Sequence, residues 1–120
     1  MQPVQHVDDI GWRDEKNLAG ARGFEFIRLV ADDPDYTSAY SCEMVRLGPE
    51  DHSVPHVERW NHLLYFISGS GEITIEQETW PIRPGSFAKV KAGQRHSLKN
   101  LGGSDMLILT VYDPPRPRRA

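Results

Sequence analysis

The chain has 120 residues, a formal net charge of −3, 38% hydrophobic and 26% charged residues. That is enough for one domain with its own core, and the charge balance offers no support for nucleic acid or an acidic membrane surface as a partner. The longest apolar run, Leu63–Ile67, is five residues against about 20 for a spanning helix; the opening MQPVQHVDDIGW has no secretory signal pattern, and the single Cys42 makes no internal disulfide, so a soluble cytoplasmic protein is expected.

Residues 1–20 are polar and mixed, and read as an N-terminal arm or an edge strand. Short runs rich in β-branched and aromatic residues then predict strands at Phe24–Val30, Tyr40–Leu47, His62–Ser68, Glu72–Glu76, Ser86–Val90, His96–Asn100 and Met106–Tyr112, with a short extra strand at Trp80–Ile82. Turn chemistry separates them: Asp33-Pro34-Asp35, Gly48-Pro49, Gly69-Ser70-Gly71, Pro84-Gly85, Ala92-Gly93 and Gly102-Gly103. No window of helical length carries a 3.6-residue apolar period, and no repeat is present. The pattern is all-β, an antiparallel sandwich or small barrel spanning 21–112. The tail 113–120, DPPRPRRA, cannot join a ladder because its prolines lack donors. It reads as a solvated tail or as a basic arm over an anionic ligand or partner.

Three of the five histidines, His52, His56 and His62, fall within eleven positions. Neutral imidazole offers a lone pair near pH 7 and is the commonest transition-metal ligand. His56, Glu58 and His62 are separated by even steps, so an extended segment would place them on one face together with Trp60, Leu64 and Phe66. A second histidine strand, beginning at His96, would have to approach from elsewhere.

The segment from Gly48 to Asn100 resembles the paired motifs of the cupin superfamily. The second motif runs Gly85, five residues, Lys91-Ala92-Gly93, two residues, His96, three residues, Asn100, with Lys91 where the family has proline. The first runs His56-x-Glu58, three residues, His62, six residues, Gly69. It keeps the family's spacing, but Glu58 stands at the family's second His and His62 at its Glu. Gly48 lies two residues further from His56 than the family pattern expects. The resemblance implies a small jelly-roll β-barrel and places His56, Glu58, His62 and His96 at the four metal-ligand positions.

Three imidazoles and one carboxylate suit one divalent transition metal: Fe, Mn, Zn, Ni or Co. Open coordination positions would polarise a substrate oxygen or bind dioxygen. The function expected is a metal-dependent enzyme on a small-molecule substrate, favoured as Fe or Mn oxidation or dioxygenation. The alternatives are Lewis-acid isomerisation, dehydration, lyase chemistry or cyclisation, and a non-enzymatic small-molecule binding module; the fold does not choose among these. Around the ligands, His52 is either a surface histidine or an acid–base group at the pocket mouth, and Tyr112 is a candidate catalytic group. Tyr40, Trp60, Leu64, Phe66 and Thr110 are candidate pocket residues. On β-strand alternation Tyr40, Cys42 and Met44 are taken to line the cavity. Leu107, Leu109 and Val111 are taken to face outward, where a homodimer is the expected use.

Overall fold

The strand-forming runs fold into ten strands in the computed structural model, which describes residues 2–14 and 24–117. They are β1 (Arg13–Asp14), β2 (Phe24–Val30), β3 (Ser41–Leu47), β4 (His56–Val57), β5 (Asn61–Ser68), β6 (Gly71–Ile75), β7 (Glu78–Ile82), β8 (Phe87–Val90), β9 (Arg95–Asn100) and β10 (Met106–Asp113). Two antiparallel sheets result, with orders β1-β2-β3-β10-β5-β8 and β4-β9-β6-β7. Counted from β3, the first, eighth, third and sixth strands share one sheet, and the second, seventh, fourth and fifth share the other. This is the interleaved order of a jelly roll, in which successive strands alternate between layers except at the central β6–β7 hairpin.

The core lies between the layers. Phe26, Val45, Leu47, Leu64, Phe66, Met106 and Ile108 come from the larger sheet, and Ile73, Ile82 and Leu98 from the smaller. In β5 the alternation is complete: His62, Leu64 and Phe66 are buried, while Leu63, Tyr65 and Ile67 are exposed. The outward Leu107, Leu109 and Val111 of β10 are only partly covered and lie on the outer face, as their parity predicts. Trp80 and Pro81 lie inside β7, which contains the short extra strand expected at Trp80–Ile82. β7 is an edge strand, where a missing proline donor is tolerated.

Two devices hold the framework that carries the site. Gly69 turns the chain from β5 to β6 at φ +90°, and a Cβ there would sit 2.6 Å from the Met106 backbone; only glycine meets both demands. Buried Asn100 donates from Nδ2 to the carbonyls of Leu47, Gly48 and Ser104 at 2.9–3.0 Å and accepts from the Gly102 N–H at 2.9 Å. It ties the loop after β3 to the loop after β9. Of the N-terminal arm, Arg13–Asp14 pairs with β2 as an edge strand, and Trp12 stacks under the Arg46 guanidinium at 4.3 Å. Residues 15–20 of that arm, 21–23 of the expected barrel and 118–120 of the tail lie outside the described residues. Among the described residues no helix is long and apolar enough to cross a membrane.

Candidate metal centre and pocket

The loop between β3 and β4 delivers the first histidine. Its backbone runs along β9, with Asn100 N–H bonded to the Asp51 carbonyl and Ser53 N–H to the Leu98 carbonyl, each at 3.0 Å. The Ser53 hydroxyl accepts from Leu98 N–H at 2.9 Å. The loop therefore leads directly into the β4–β9 pairing, where His56 is the cross-strand partner of His96. Residues opposite each other in an antiparallel pair share a face, and the two imidazoles lie 4.4 Å apart, centroid to centroid.

After Val57 the chain leaves the smaller sheet, and at Asn61 it enters the larger one. The sequence reading of one extended face from His56 to His62 is corrected here. The three residues converge because the segment crosses between layers, so His56 and His62 meet across the sandwich interior. His62 lies 5.2 Å from His96 by ring centroid. The crossing also explains Trp60, which stands outside the cavity lining and near the rim, 5.6 Å from the Arg116 guanidinium.

Glu58 sits in the crossing, at the centre of the cluster. Its Oε1 lies 2.8 Å from His56 Nε2 and 3.7 Å from His96 Nε2; its Oε2 lies 3.1 Å from His62 Nε2 and 3.4 Å from Arg116 Nη1. His56 Nδ1 faces the Val54 carbonyl at 3.1 Å, and His96 Nδ1 faces the Gln94 carbonyl at 3.0 Å. A carbonyl only accepts, so both Nδ1 atoms carry hydrogen, and in the neutral ring the lone pair is on Nε2. These Nε2 lone pairs then point at a carboxylate, an arrangement that needs a shared proton or cation.

The donor set fits a metal on this geometry. Donor atoms of His56, Glu58 and His96 lie within 4.8 Å of one another. Buried His62 has no hydrogen-bond partner at either ring nitrogen, although Nε2 is close to Glu58, and Glu58 Oε2 likewise lacks one. A buried polar atom without a partner is costly, and a cation among these four groups would satisfy all of them. Backbone carbonyls behind His56 and His96 fix the rings in the way metal-ligating imidazoles are usually fixed.

Burial alone would raise the Glu58 carboxyl, but the imidazoles of His56, His62 and His96 turned toward it and the Arg116 charge outweigh it and hold it far below the usual carboxylate range. Burial would lower His56, yet the Glu58 hydrogen bond leaves it raised. Tyr112 is held protonated well above the ordinary phenol range, chiefly by burial and then by the nearby Glu43 carboxylate.

The cluster forms the polar end of a cavity of about 560 Å³, open mouth included. Phe24, Phe26, Val45, Leu64, Leu98 and Ile108 make its apolar wall, and Glu25, Ser53, Thr110, Tyr112 and Arg116 complete it. Tyr112 packs edge-on against His62 at 4.6 Å. Of the residues singled out in the sequence, His56, Glu58, His62, His96, Leu64, Thr110 and Tyr112 meet here. Phe66 is fully buried in the core beyond the cavity lining. His52 is exposed on an isolated bridge to Lys99, away from the lining.

Tyr40 is also outside the lining and bonds Tyr36 through its hydroxyl at 3.1 Å. Here the parity assigned to β3 is corrected. Val45 pairs with Ile108, Glu43 with Thr110 and Ser41 with Tyr112, so the inward set is Ser41, Glu43 and Val45 rather than Tyr40, Cys42 and Met44. Two further residues escaped the sequence reading. Glu43 is 1% exposed. Burial pushes its carboxyl up to about 7, against lowering by Arg116, Arg28 and a hydrogen bond from Tyr112. Arg116 comes from the tail, whose proline–arginine pattern was the only signal for it.

The jelly roll with a histidine–carboxylate cluster on its inner faces defines a class, and comparison gives it a family. A model of the cupin domain matches residues 43–112. The chain belongs to the cupin family. L-ectoine synthase of Vibrio atlanticus is 35% identical over 106 residues, covering 86% of this chain and 80% of that protein. Among solved structures, the polyketide cyclase RemF of Streptomyces resistomycificus superposes with a TM-score of 0.81 at 22% identity, over 98% of this chain and 83% of that one. Ectoine synthase from P. lautus gives 0.75 at 24% identity, over 96% and 80%.

Proposed function

We propose that this chain is a metal-dependent enzyme that closes a ring in, or removes water from, a small organic molecule without redox change. The observation that carries the reading is the convergence of three imidazole Nε2 atoms and Arg116 on the single carboxylate of Glu58, at one end of a mostly apolar cavity. His56, Glu58, His62 and His96 would hold the metal, and their donor chemistry suits Fe, Mn, Zn, Ni or Co. A divalent ion held there would supply Lewis acidity to a substrate oxygen.

The chain's own residues do the rest. Burial keeps the proton on Tyr112, so its hydroxyl stands beside the cluster as a hydrogen-bond donor. Phe24, Phe26, Leu64, Leu98 and Ile108 exclude water and shape the space for an apolar substrate body. Thr110 and Ser53 offer the wall its few polar contacts. Two of the proteins most similar to this chain are named as a synthase and a cyclase. Those names favour condensation chemistry over the oxidation that the two-histidine, one-carboxylate set also permits.

The test is turnover with and without dioxygen. Metal-loaded protein is incubated with a small-molecule extract under air and under argon, and the products are read by mass spectrometry, with L-ectoine the first product sought. The expected product is isomeric with its substrate, or lighter by one water, and forms equally in both gases. A product that forms only with dioxygen overturns the reading.

A further inference from the structure

We infer that Arg116, carried back over the cavity by the proline-flanked segment 114–117, is an anion-binding subsite that takes a carboxylate of the substrate. This rests on the metal-site reading above and specifies the substrate class for it. The backbone of the segment is fastened at both sides of the residue: Arg116 N–H donates to the Ser41 hydroxyl at 2.9 Å, and Arg28 Nη2 donates to the Arg116 carbonyl at 3.1 Å. Pro115 and Pro117 on either side restrict the chain to extended conformations. The guanidinium is thereby presented to the cavity rather than to solvent. It lies 5.2 Å from the Tyr112 ring and 5.6 Å from the Trp60 ring, and such faces hold a cation in place.

A guanidinium carries five N–H donors in a planar fork that matches a carboxylate. In this structure one of them, on Nη1, bonds the Tyr112 hydroxyl at 3.0 Å and also faces Glu58 Oε2 at 3.4 Å. Among the described residues no other hydrogen bond from this guanidinium is recorded. Glu58 lies within ion-pair range of it and buried Glu43 also acts on its charge, and Glu58 is the carboxylate the metal would claim. With a divalent ion on Glu58, a half-buried arginine would face a positively charged centre across a low-dielectric gap, which is unfavourable. A substrate carboxylate between the two restores the balance and uses the idle fork. The surrounding wall is mostly apolar, with Ser53 and Thr110 as polar points, so the ligand that fits has one anionic end and a small, largely apolar body.

The experiment is calorimetric titration of the full-length, zinc-loaded chain with succinate, glutarate and their dimethyl esters, for the parent and for Arg116→Gln. Zinc affinity is measured separately for both proteins. The main-chain contacts to Ser41 and Arg28 survive the substitution, and thermal unfolding checks that the fold does too. The expected result is that Arg116→Gln weakens the dicarboxylates by roughly tenfold or more, about 1.4 kcal/mol, while leaving the esters unchanged and the zinc affinity no weaker. Equal carboxylate affinity in parent and variant overturns the subsite, and so does an equal loss for acids and esters. A parent that binds zinc but no carboxylate overturns it as well. Failure of the parent to bind zinc at all refutes the metal-site reading on which the subsite rests, and the two failures are read from different titrations.

Discussion

His56 and His96 lie directly opposite each other in the β4–β9 pairing, forty residues apart in sequence and 4.4 Å apart by ring centroid. The strand pairing itself, rather than a flexible loop, sets the distance between two of the four candidate ligands. Sites built on strands hold their geometry better than sites on loops. The third imidazole, His62, is anchored by its own pairings with Tyr112 on one side and Val90 on the other.

Buried Glu43 gives the metal-free protein a stability that falls as pH rises. Its carboxyl is raised from 4.5 to about 7 in the folded state, so between those values the folded chain binds the proton that the unfolded chain has lost. Stability is therefore retained below about pH 4.5 and is lost as pH rises through about 7. At 1.36 kcal/mol per unit this is on the order of 3 kcal/mol. His56, also raised, acts in the same sense from a higher starting point, and Glu58, lowered, acts in the opposite sense at acidic pH. Urea denaturation at pH 5 and pH 8 should show Glu43→Gln flattening the slope and stabilising the protein at pH 8. A slope equal to the parent's contradicts the assignment.

Asn100→Ala should destabilise the fold without touching the pocket. The side chain serves three carbonyls and one N–H at the junction of two loops, and unpaired buried groups cost about 1–3 kcal/mol each. A loss of roughly 3 kcal/mol in urea denaturation is expected, with carboxylate and metal binding preserved in the molecules that remain folded.

Phe66→Ala and Leu64→Ala separate core from cavity. Phe66 is fully buried away from the site, so its truncation should cost about 3–5 kcal/mol. Leu64 lines the cavity, where part of the lost contact is already with open space. Its truncation should cost less, and should alter which small ligands bind. Denaturation midpoints and a ligand panel read the two effects apart.

His52→Ala is expected to leave metal content and turnover at the parent level. The residue is exposed and outside the cavity lining. A large loss of activity in this variant would mean that the loop moves during the reaction.

Much of this fold is legible in the sequence where one face of a strand is buried and the other is not. β5 shows this cleanly, because His62, Leu64 and Phe66 alternate with residues that face out. The spacing from Gly85 to Asn100 is equally informative, because each residue has a structural duty at a turn, a strand or a loop junction. β3 misleads for a physical reason. Its inward set, Ser41, Glu43 and Val45, is the more polar of the two, because Ser41 and Glu43 are buried opposite Tyr112 and Thr110 of β10. Apolar character therefore points the wrong way there. The crossing at Glu58 cannot be seen from period-two counting, since the period stops where the chain changes sheets. Arg116 is hidden for another reason: its place over the cavity depends on contacts with Ser41 and Arg28, both distant in sequence.

Metal content of the chain purified without chelator or affinity tag tests the central claim most directly. Elemental analysis should find close to one divalent transition metal per chain in the parent. Occupancy should drop sharply in Glu58→Ala and in His96→Ala, each still folded and rich in β-structure by circular dichroism. Equal occupancy in the parent and both variants, or a parent that takes up no metal when supplied with it, would contradict the account.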